Sequence, residues 1–227
     1  MTMPKAVIFD VDGVLVDSYQ AHYESWQLAC QERGLEMTLE HFVATFGRTS
    51  REIIVDLWSR QVATPAAVAE LDDRKEVLFR ELLNRDFPQM DGAAELIESL
   101  HQAGFRLAVG SSGPPDNVNL VLDQLQRRAC FHGIVTGADV QRGKPDPQVF
   151  LLGAERIGVA PSACVVIEDA PVGVAAAHAA GMKCIALAST GRLRESLVAA
   201  ELVVDSLREL DPQRIASVLG ANSPSFG

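Results

Sequence analysis

Lys5–Ser18 reads KAVIFDVDGVLVDS. Ala6, Val7, Ile8 and Phe9 form an unbroken apolar run, partly β-branched, which is the pattern of a strand buried on both faces of a mostly parallel sheet. Asp10 and Asp12 fall at the carboxyl end of that strand, the edge at which open α/β sheets bind ligands. If extended geometry continues past Phe9, residues i and i+2 point to one side roughly 7 Å apart, so that two carboxylates could flank one reacting atom. Gly13 adds a point where the backbone can turn sharply or approach a ligand closely. An Asp-Gly turn accounts for Asp12 and Gly13 but not for Asp10, because an ionised aspartate ending an apolar strand must be offset by a metal or a cationic partner.

Working outward, the chain has 227 residues, of which 48% are hydrophobic, enough for a substantial core in one large or two small domains. A formal net charge of −10 repels nucleic-acid backbones and anionic membranes, so neither is an expected partner and any phosphate site must be local. No apolar run approaches about 18 residues, and the N-terminus enters the charged motif without a signal-peptide pattern; a cytoplasmic location is the expectation. Cys30, Cys130, Cys164 and Cys184 show no CxxC spacing, which argues against a zinc cluster or a disulfide framework and for buried free thiols.

From Asp17 to Phe87 the periodicity is helical. Ser18 is the expected cap of a helix through Tyr23, Trp26 and Ala29 that Gly34 closes, followed by helices over Leu39–Phe46, Ser50–Gln61 and, after Thr64 and Pro65, Ala66–Leu83. A block this long is no simple crossover, and it reads as an inserted cap domain over 17–87, with 1–16 and 88–227 forming the core. After Gly92 helices alternate with strands, the signature of a parallel sheet covered by helices. The expected strands are Arg106–Val109, Gly133–Thr136, Cys164–Ile167, Lys183–Leu187 and Leu202–Val204. The expected helices are Ala93–Ala103, Asn117–Gln126, Gln148–Ile157, Val172–Ala180 and Ser206–Leu219, with ANSPSFG as a frayed tail.

Three later segments supply groups that complement the two aspartates. Ser111 and Ser112, after the second core strand, offer hydroxyls and, with Gly113, backbone N–H groups able to hold an anion. Lys144 lies in RGKPDP, where the following prolines restrict the chain and fix an ammonium. Glu168 and Asp169 end the strand CVVI, and with Asp10 and Asp12 they assemble an oxygen set that suits Mg²⁺; the same pair can also serve a helix N-terminus.

In this ordered set the chain resembles the haloacid dehalogenase superfamily, in the helical-cap branch that includes phosphoglycolate phosphatases and β-phosphoglucomutases. The matching motifs are DVDGVLVDS at 10–18, VGSS at 109–112, the lysine of GKPDP at 143–147 and IEDAPVGV at 167–174. The resemblance implies a doubly wound α/β core with an all-helical cap. Carried over position by position, it implies Asp10 as nucleophile, Asp12 as general acid and base, Ser111 and Lys144 as phosphate ligands, Ser112 beside them, and Asp169 as a Mg²⁺ ligand that Glu168 joins directly or through water. Chemistry agrees with those roles: free aspartate titrates near 3.9, so Asp10 should be ionised at neutral pH, whereas Asp12 must be pushed upward to donate a proton. The expected reaction is Mg²⁺-dependent hydrolysis of a small phosphorylated metabolite through a phospho-aspartate, in a monomer or weak dimer.

The alternative is a phosphosugar mutase of the β-phosphoglucomutase type. His22, Trp26 and Arg51 resemble cap positions of that enzyme. Phe46 stands where it has a cap lysine, and SSGPPDN lacks its loop lysine, which favours hydrolysis. A non-enzymatic binding protein would not need Asp12, and a dehalogenase would not need the metal cluster. His22 and Arg51 are the expected substrate-reading residues of a cap hinged near Val14–Asp17 and Phe87–Gly92.

Overall fold

In a computed structural model that describes residues 4–220, the run Ala6–Phe9 forms strand β1, whose four residues are completely buried. Its continuous apolar, partly β-branched composition follows from its place at the centre of a parallel sheet, where both faces are covered by other parts of the chain. The other strands are β2 (Arg106–Gly110), β3 (Gly133–Val135), β4 (Cys164–Glu168), β5 (Lys183–Leu187) and β6 (Leu202–Val204). Every pairing is parallel, in the order β3-β2-β1-β4-β5-β6. The chain runs outward from β1 to one edge, then returns to the other side of β1 and runs to the opposite edge. That reversal places the ends of β1, β2 and β4 around one crevice: Phe9 is in register with Val109 on one side and Ile167 on the other.

The helical unit, Ser18–Pro88, is compact in itself, as is the unit formed by the chain up to Asp17 and from Gln89 onward. Its helices are α1 (Tyr19–Gln31), α2 (Leu39–Thr45), α3 (Ser50–Trp58) and α4 (Pro65–Arg85), packed on a core that includes Trp26, Phe42, Ile54, Trp58 and Leu71. Thr38 and Thr64 accept from the backbone N–H groups of His41 and Ala67, and Thr49 forms a reciprocal cap with Glu52. Ser18 precedes α1 but makes no side-chain cap, being fully buried in αR geometry. Helix α3 ends at Trp58, short of the expected Gln61, and the Val62 side chain beyond it enters the core.

The sheet unit adds α5 (Ala93–Gln102), α6 (Pro115–Gln124), α7 (Gln148–Ile157), α8 (Pro171–Ala179) and α9 (Pro212–Gly220). The expected single helix over Ser206–Leu219 divides into a 3-10 turn at Leu207–Glu209 and α9, because Pro212 starts a new helix and cannot continue an old one. The tail ANSPSFG lies outside the described residues. Helix α7 sits close on the sheet because glycines face it: a Cβ at Gly110 would stand 3.0 Å from the Phe150 ring and 3.1 Å from Ile8. Phe150 is thereby buried against β1 and β2, a burial worth roughly 1.5–3 kcal/mol. All four cysteines are free and buried, and burial raises the Cys30 thiol to about 12.

The two linkers meet within the sheet unit. Val16 bridges antiparallel to Gln89, and Met90 N–H donates to the Leu15 carbonyl at 3.1 Å. Val14, Leu15 and Val16 are completely buried. These contacts tie Val14–Val16, where one of the two hinges was expected, to the segment that follows the helical unit.

Candidate active site

The first strand remains paired for one residue beyond its apolar run: Asp10 N–H donates to the Ile167 carbonyl at 2.9 Å. The chain then leaves extended geometry, contrary to the simple continuation that the i, i+2 argument assumed. The Val11 carbonyl accepts from Leu15 N–H at 2.8 Å, and Gly13 N–H donates to the Val16 carbonyl at 2.9 Å. This loop requires Gly13 twice over. Its φ is +74°, a conformation that costs a residue with a Cβ about 1–2 kcal/mol, and a Cβ there would overlap Oδ2 of Asp169.

Lys144 ties the strand ends together. Its Nζ donates at 2.7 Å to Asp10 Oδ1 and at 2.7 Å to Glu168 Oε1, and lies 4.9 Å from the Phe150 ring centroid. The same Phe150 that the missing Gly110 side chain admits thus supports the ammonium from below. Glu168 has both oxygens engaged, because Oε2 accepts from the backbone N–H groups of Asp169 and Ala170 at 2.7 and 2.6 Å. Gly173 on α8 makes room for this carboxylate, which a Cβ would overlap. Asp169 is held by Ser189, whose hydroxyl donates to Oδ2 at 3.0 Å, and by Arg192, whose Nε lies 3.5 Å from the same oxygen.

On the β2 side, Ser111 is buried and its Oγ accepts from Gly113 N–H at 3.0 Å, a turn that aims the Ser111–Gly113 backbone at the crevice. Gly137 steadies that turn by donating to the Gly113 carbonyl at 2.8 Å. Ser112 is exposed. Asp12 approaches the same turn, with Oδ2 3.7 Å from where a Gly113 Cβ would be.

Burial pushes the Asp10 carboxyl well above the usual carboxylate range; Glu168, Asp169 and Asp12 add to the rise and Lys144 opposes it. Lys144, donating at 2.7 Å, supplies positive charge beside this carboxyl. Burial, then Glu168, raises Asp169 to about 7 against the pull of Arg192, Ser189 and Lys144. Burial would lower Lys144, but Asp10 and Glu168 more than reverse it and hold the ammonium above its ordinary value. The donor set fits a hard divalent cation: Asp10, Glu168 and Asp169 each offer a carboxylate oxygen, all within 4.8 Å of one another. Asp12, expected as a further ligand, stands outside that group of three.

His22 and Arg51 belong to the helical unit. His22 stacks on Phe79 with ring centroids 4.1 Å apart, and its Nδ1 accepts from Lys75 Nζ at 2.9 Å. Lys75 is almost completely buried, also donates to Glu76 at 2.9 Å, and lies 5.7 and 5.0 Å from the Trp26 and Phe79 ring centroids. Arg51 is largely exposed and pairs with Asp72, Nε to Oδ2, at 3.0 Å. Trp26 is core, tilted against Trp58. Phe46 packs on Tyr19 and Phe42. Sequence reasoning missed Lys75, whose charged surroundings DDRKE read as solvent-facing although its spacing from Leu71, Leu78 and Leu82 puts it on the buried stripe. It also missed Ser189 and Arg192, which follow β5 at the same sheet edge as the other motifs.

The sheet is doubly wound and parallel, and at its carboxyl edge Asp10, Lys144, Glu168 and Asp169 meet. The chain belongs to the haloacid dehalogenase-like hydrolases, whose family model matches residues 4–181. It is 32% identical over 211 residues to the validoxylamine A 7'-phosphate phosphatase of Streptomyces hygroscopicus subsp. limoneus, covering 92% of this chain and 96% of the relative. It is 32% identical to hexitol phosphatase A of Escherichia coli over 91% of this chain and 93% of the relative. The crystal structure of β-phosphoglucomutase from Clostridium difficile shares the fold, with a TM-score of 0.85 at 24% identity over 96% of this chain and 98% of that one. The protein is a phosphoryl-transfer enzyme, a hydrolase of phosphoric monoesters. No helix among the described residues is long and apolar enough to cross a membrane.

Proposed function

We propose that this enzyme is a Mg²⁺-dependent phosphatase of a small phosphorylated carbohydrate or similar monoester, acting through a phospho-aspartate on Asp10. The observation that carries the reading is the contact between Lys144 Nζ and Asp10 Oδ1 at 2.7 Å, at the edge shared with Asp169 and the Ser111–Gly113 turn. The named activities of the two phosphatase relatives support the substrate class.

Asp10 and Asp169 would hold the Mg²⁺, which when bound supplies positive charge that offsets the repulsion between carboxylate and phosphoryl oxygens. Glu168, with both oxygens engaged by Lys144 and backbone N–H groups, would fix Lys144 and add its negative charge beside the cation. Lys144, Ser111 and the N–H groups of the following turn grip the non-bridging oxygens. One Asp10 oxygen attacks phosphorus as the bond to the leaving oxygen breaks, and Asp12 donates the proton that the leaving oxygen needs. Asp12, now ionised, takes a proton from water; that water attacks the phospho-aspartate, releasing phosphate and restoring Asp10. Both aspartates end as they began.

Asp10→Asn tests this. The variant should keep its circular dichroism and lose on the order of 10⁴–10⁶ in turnover of an aryl phosphate; full activity would exclude Asp10 as nucleophile.

A further inference from the structure

Asp169 is not held by the strand that carries it. One of its oxygens, Oδ2, meets three groups from elsewhere: the Ser189 hydroxyl at 3.0 Å, the Arg192 Nε at 3.5 Å and the bare Cα of Gly13. Ser189 and Arg192 come from the loop after β5, which reads STGR. Arg192 N–H donates to the Ser189 carbonyl at 3.1 Å, closing a turn, and Gly191 occupies its third position with φ +78°. A positive φ at that position is what a type II turn demands and what glycine supplies at no steric cost. The turn brings the side chains at its two ends back to one carboxylate. Thr190, between them, donates to Asp17 Oδ2 at 2.6 Å, and Ala188 N–H donates to the Val204 carbonyl at 2.8 Å, so the loop is anchored on both sides. Arg192 is only 15% exposed at its side chain, and Asp169 only 6%, so neither contact is a loosely solvated surface pair.

We infer that the Ser189–Arg192 turn is a positioning device for the metal ligand Asp169: by occupying Oδ2 it leaves Oδ1 as the oxygen offered to the divalent cation and fixes the direction from which it is offered. The inference rests on the proposed metal role of Asp169. Ser189 and Arg192 touch neither substrate nor reacting atoms in this scheme. Groups that orient a metal-binding side chain are worth roughly 10–100-fold in metal affinity, and a monodentate carboxylate has one useful orientation only if its other oxygen is pinned.

The test is isothermal titration of Mg²⁺ into the metal-free full chain, wild type against Ser189→Ala, Ser189→Thr, Gly191→Ala and Asp169→Ala, with melting temperatures measured in parallel. Ser189→Ala should weaken Mg²⁺ about tenfold, and Ser189→Thr, which keeps the hydroxyl, should stay within about twofold. Gly191→Ala removes neither side chain that meets Asp169 and acts on the turn through its positive φ; it should weaken Mg²⁺ comparably. If Ser189→Ala and Gly191→Ala bind Mg²⁺ as wild type does while Asp169→Ala does not, the positioning role is wrong and the metal role of Asp169 stands. Wild-type affinity in Asp169→Ala would overturn both.

Discussion

Lys144 and Asp10 are 134 positions apart in sequence, and Nζ of one donates to Oδ1 of the other at 2.7 Å. The pair is buried, with side-chain exposures of 8% and 10%, and the same ammonium serves Glu168. Removing one member of such a cluster leaves the rest desolvated and uncompensated, which costs about 3–5 kcal/mol where buried pairs have been broken. Lys144→Met should therefore lower the unfolding free energy by about that amount in urea titrations and abolish turnover. A stability loss below about 1 kcal/mol would mean that the acids are accommodated without Lys144.

The pH dependence follows from Asp169. Its folded value is raised to about 7 from an ordinary carboxylate value, so the folded state binds the proton more tightly than the unfolded chain does. The sign is then fixed: this group favours folding at acid pH, and its contribution is lost as pH rises from about 4 through about 7. Metal binding requires the ionised form, so the Mg²⁺-induced rise in melting temperature should be small at pH 5 and reach its full size above pH 7. Thermal scans with and without Mg²⁺ across that range check it, and a metal-induced shift independent of pH would contradict the assignment.

Gly13→Ala combines two penalties. A φ of +74° disfavours any Cβ by about 1–2 kcal/mol, and this Cβ would overlap Asp169 Oδ2. The variant should lose about 1–3 kcal/mol in stability and should weaken Mg²⁺ more than Gly34→Ala, because a Cβ at Gly34, also at positive φ, meets nothing within 4 Å. Equal metal affinity in the two variants would show that Asp169 can move without cost.

How far the sequence reaches is visible in these residues. The apolar run Ala6–Phe9 coincides with β1, and Gln148–Ile157, Lys183–Leu187 and Leu202–Val204 fall where alternation of helix and strand put them. Strand-end reasoning led to Asp10, Lys144 and Asp169 because chemistry at the carboxyl edge of a parallel sheet is a property of topology. Gly13 marked a possible sharp turn after Asp10, but the hydrogen bonds to the Val11 carbonyl that fold it leave no further mark in residue type. Strand-end reasoning did not reach Ser189 and Arg192, whose STGR looks like any surface turn until Asp169 is placed beside it. Lys75 was hidden by the charged residues around it, although the buried positions Leu71, Leu78 and Leu82 share its helix face.

A β-phosphoglucomutase shares this fold, so release of phosphate has to be distinguished from its return to a sugar. SSGPPDN contains no lysine, and Phe46 is committed to packing on Tyr19 and Phe42. β-Glucose 1-phosphate with a trace of the bisphosphate should yield phosphate and no glucose 6-phosphate. Efficient conversion to glucose 6-phosphate would make the enzyme a mutase.

Arg51 is the residue of the helical unit proposed to act in substrate choice, and Asp169 the proposed metal ligand. Arg51→Ala should then change KM and relative rates across sugar, glycolate and nucleotide monophosphates without affecting Mg²⁺ affinity, whereas Asp169→Ala should weaken Mg²⁺ for every substrate. Matching profiles for the two variants would refute that division.

The central claim is that a carboxylate oxygen of Asp10 becomes bonded to phosphorus, and rapid acid quenching with a radiolabelled phosphate monoester tests it most directly. Labelled phosphate should appear on the wild-type chain during turnover, map to the peptide containing Asp10, be discharged by neutral hydroxylamine as an acyl phosphate is, and be absent from Asp10→Asn. Turnover by Asp10→Asn at the wild-type rate, or label on the protein that survives hydroxylamine, would contradict it.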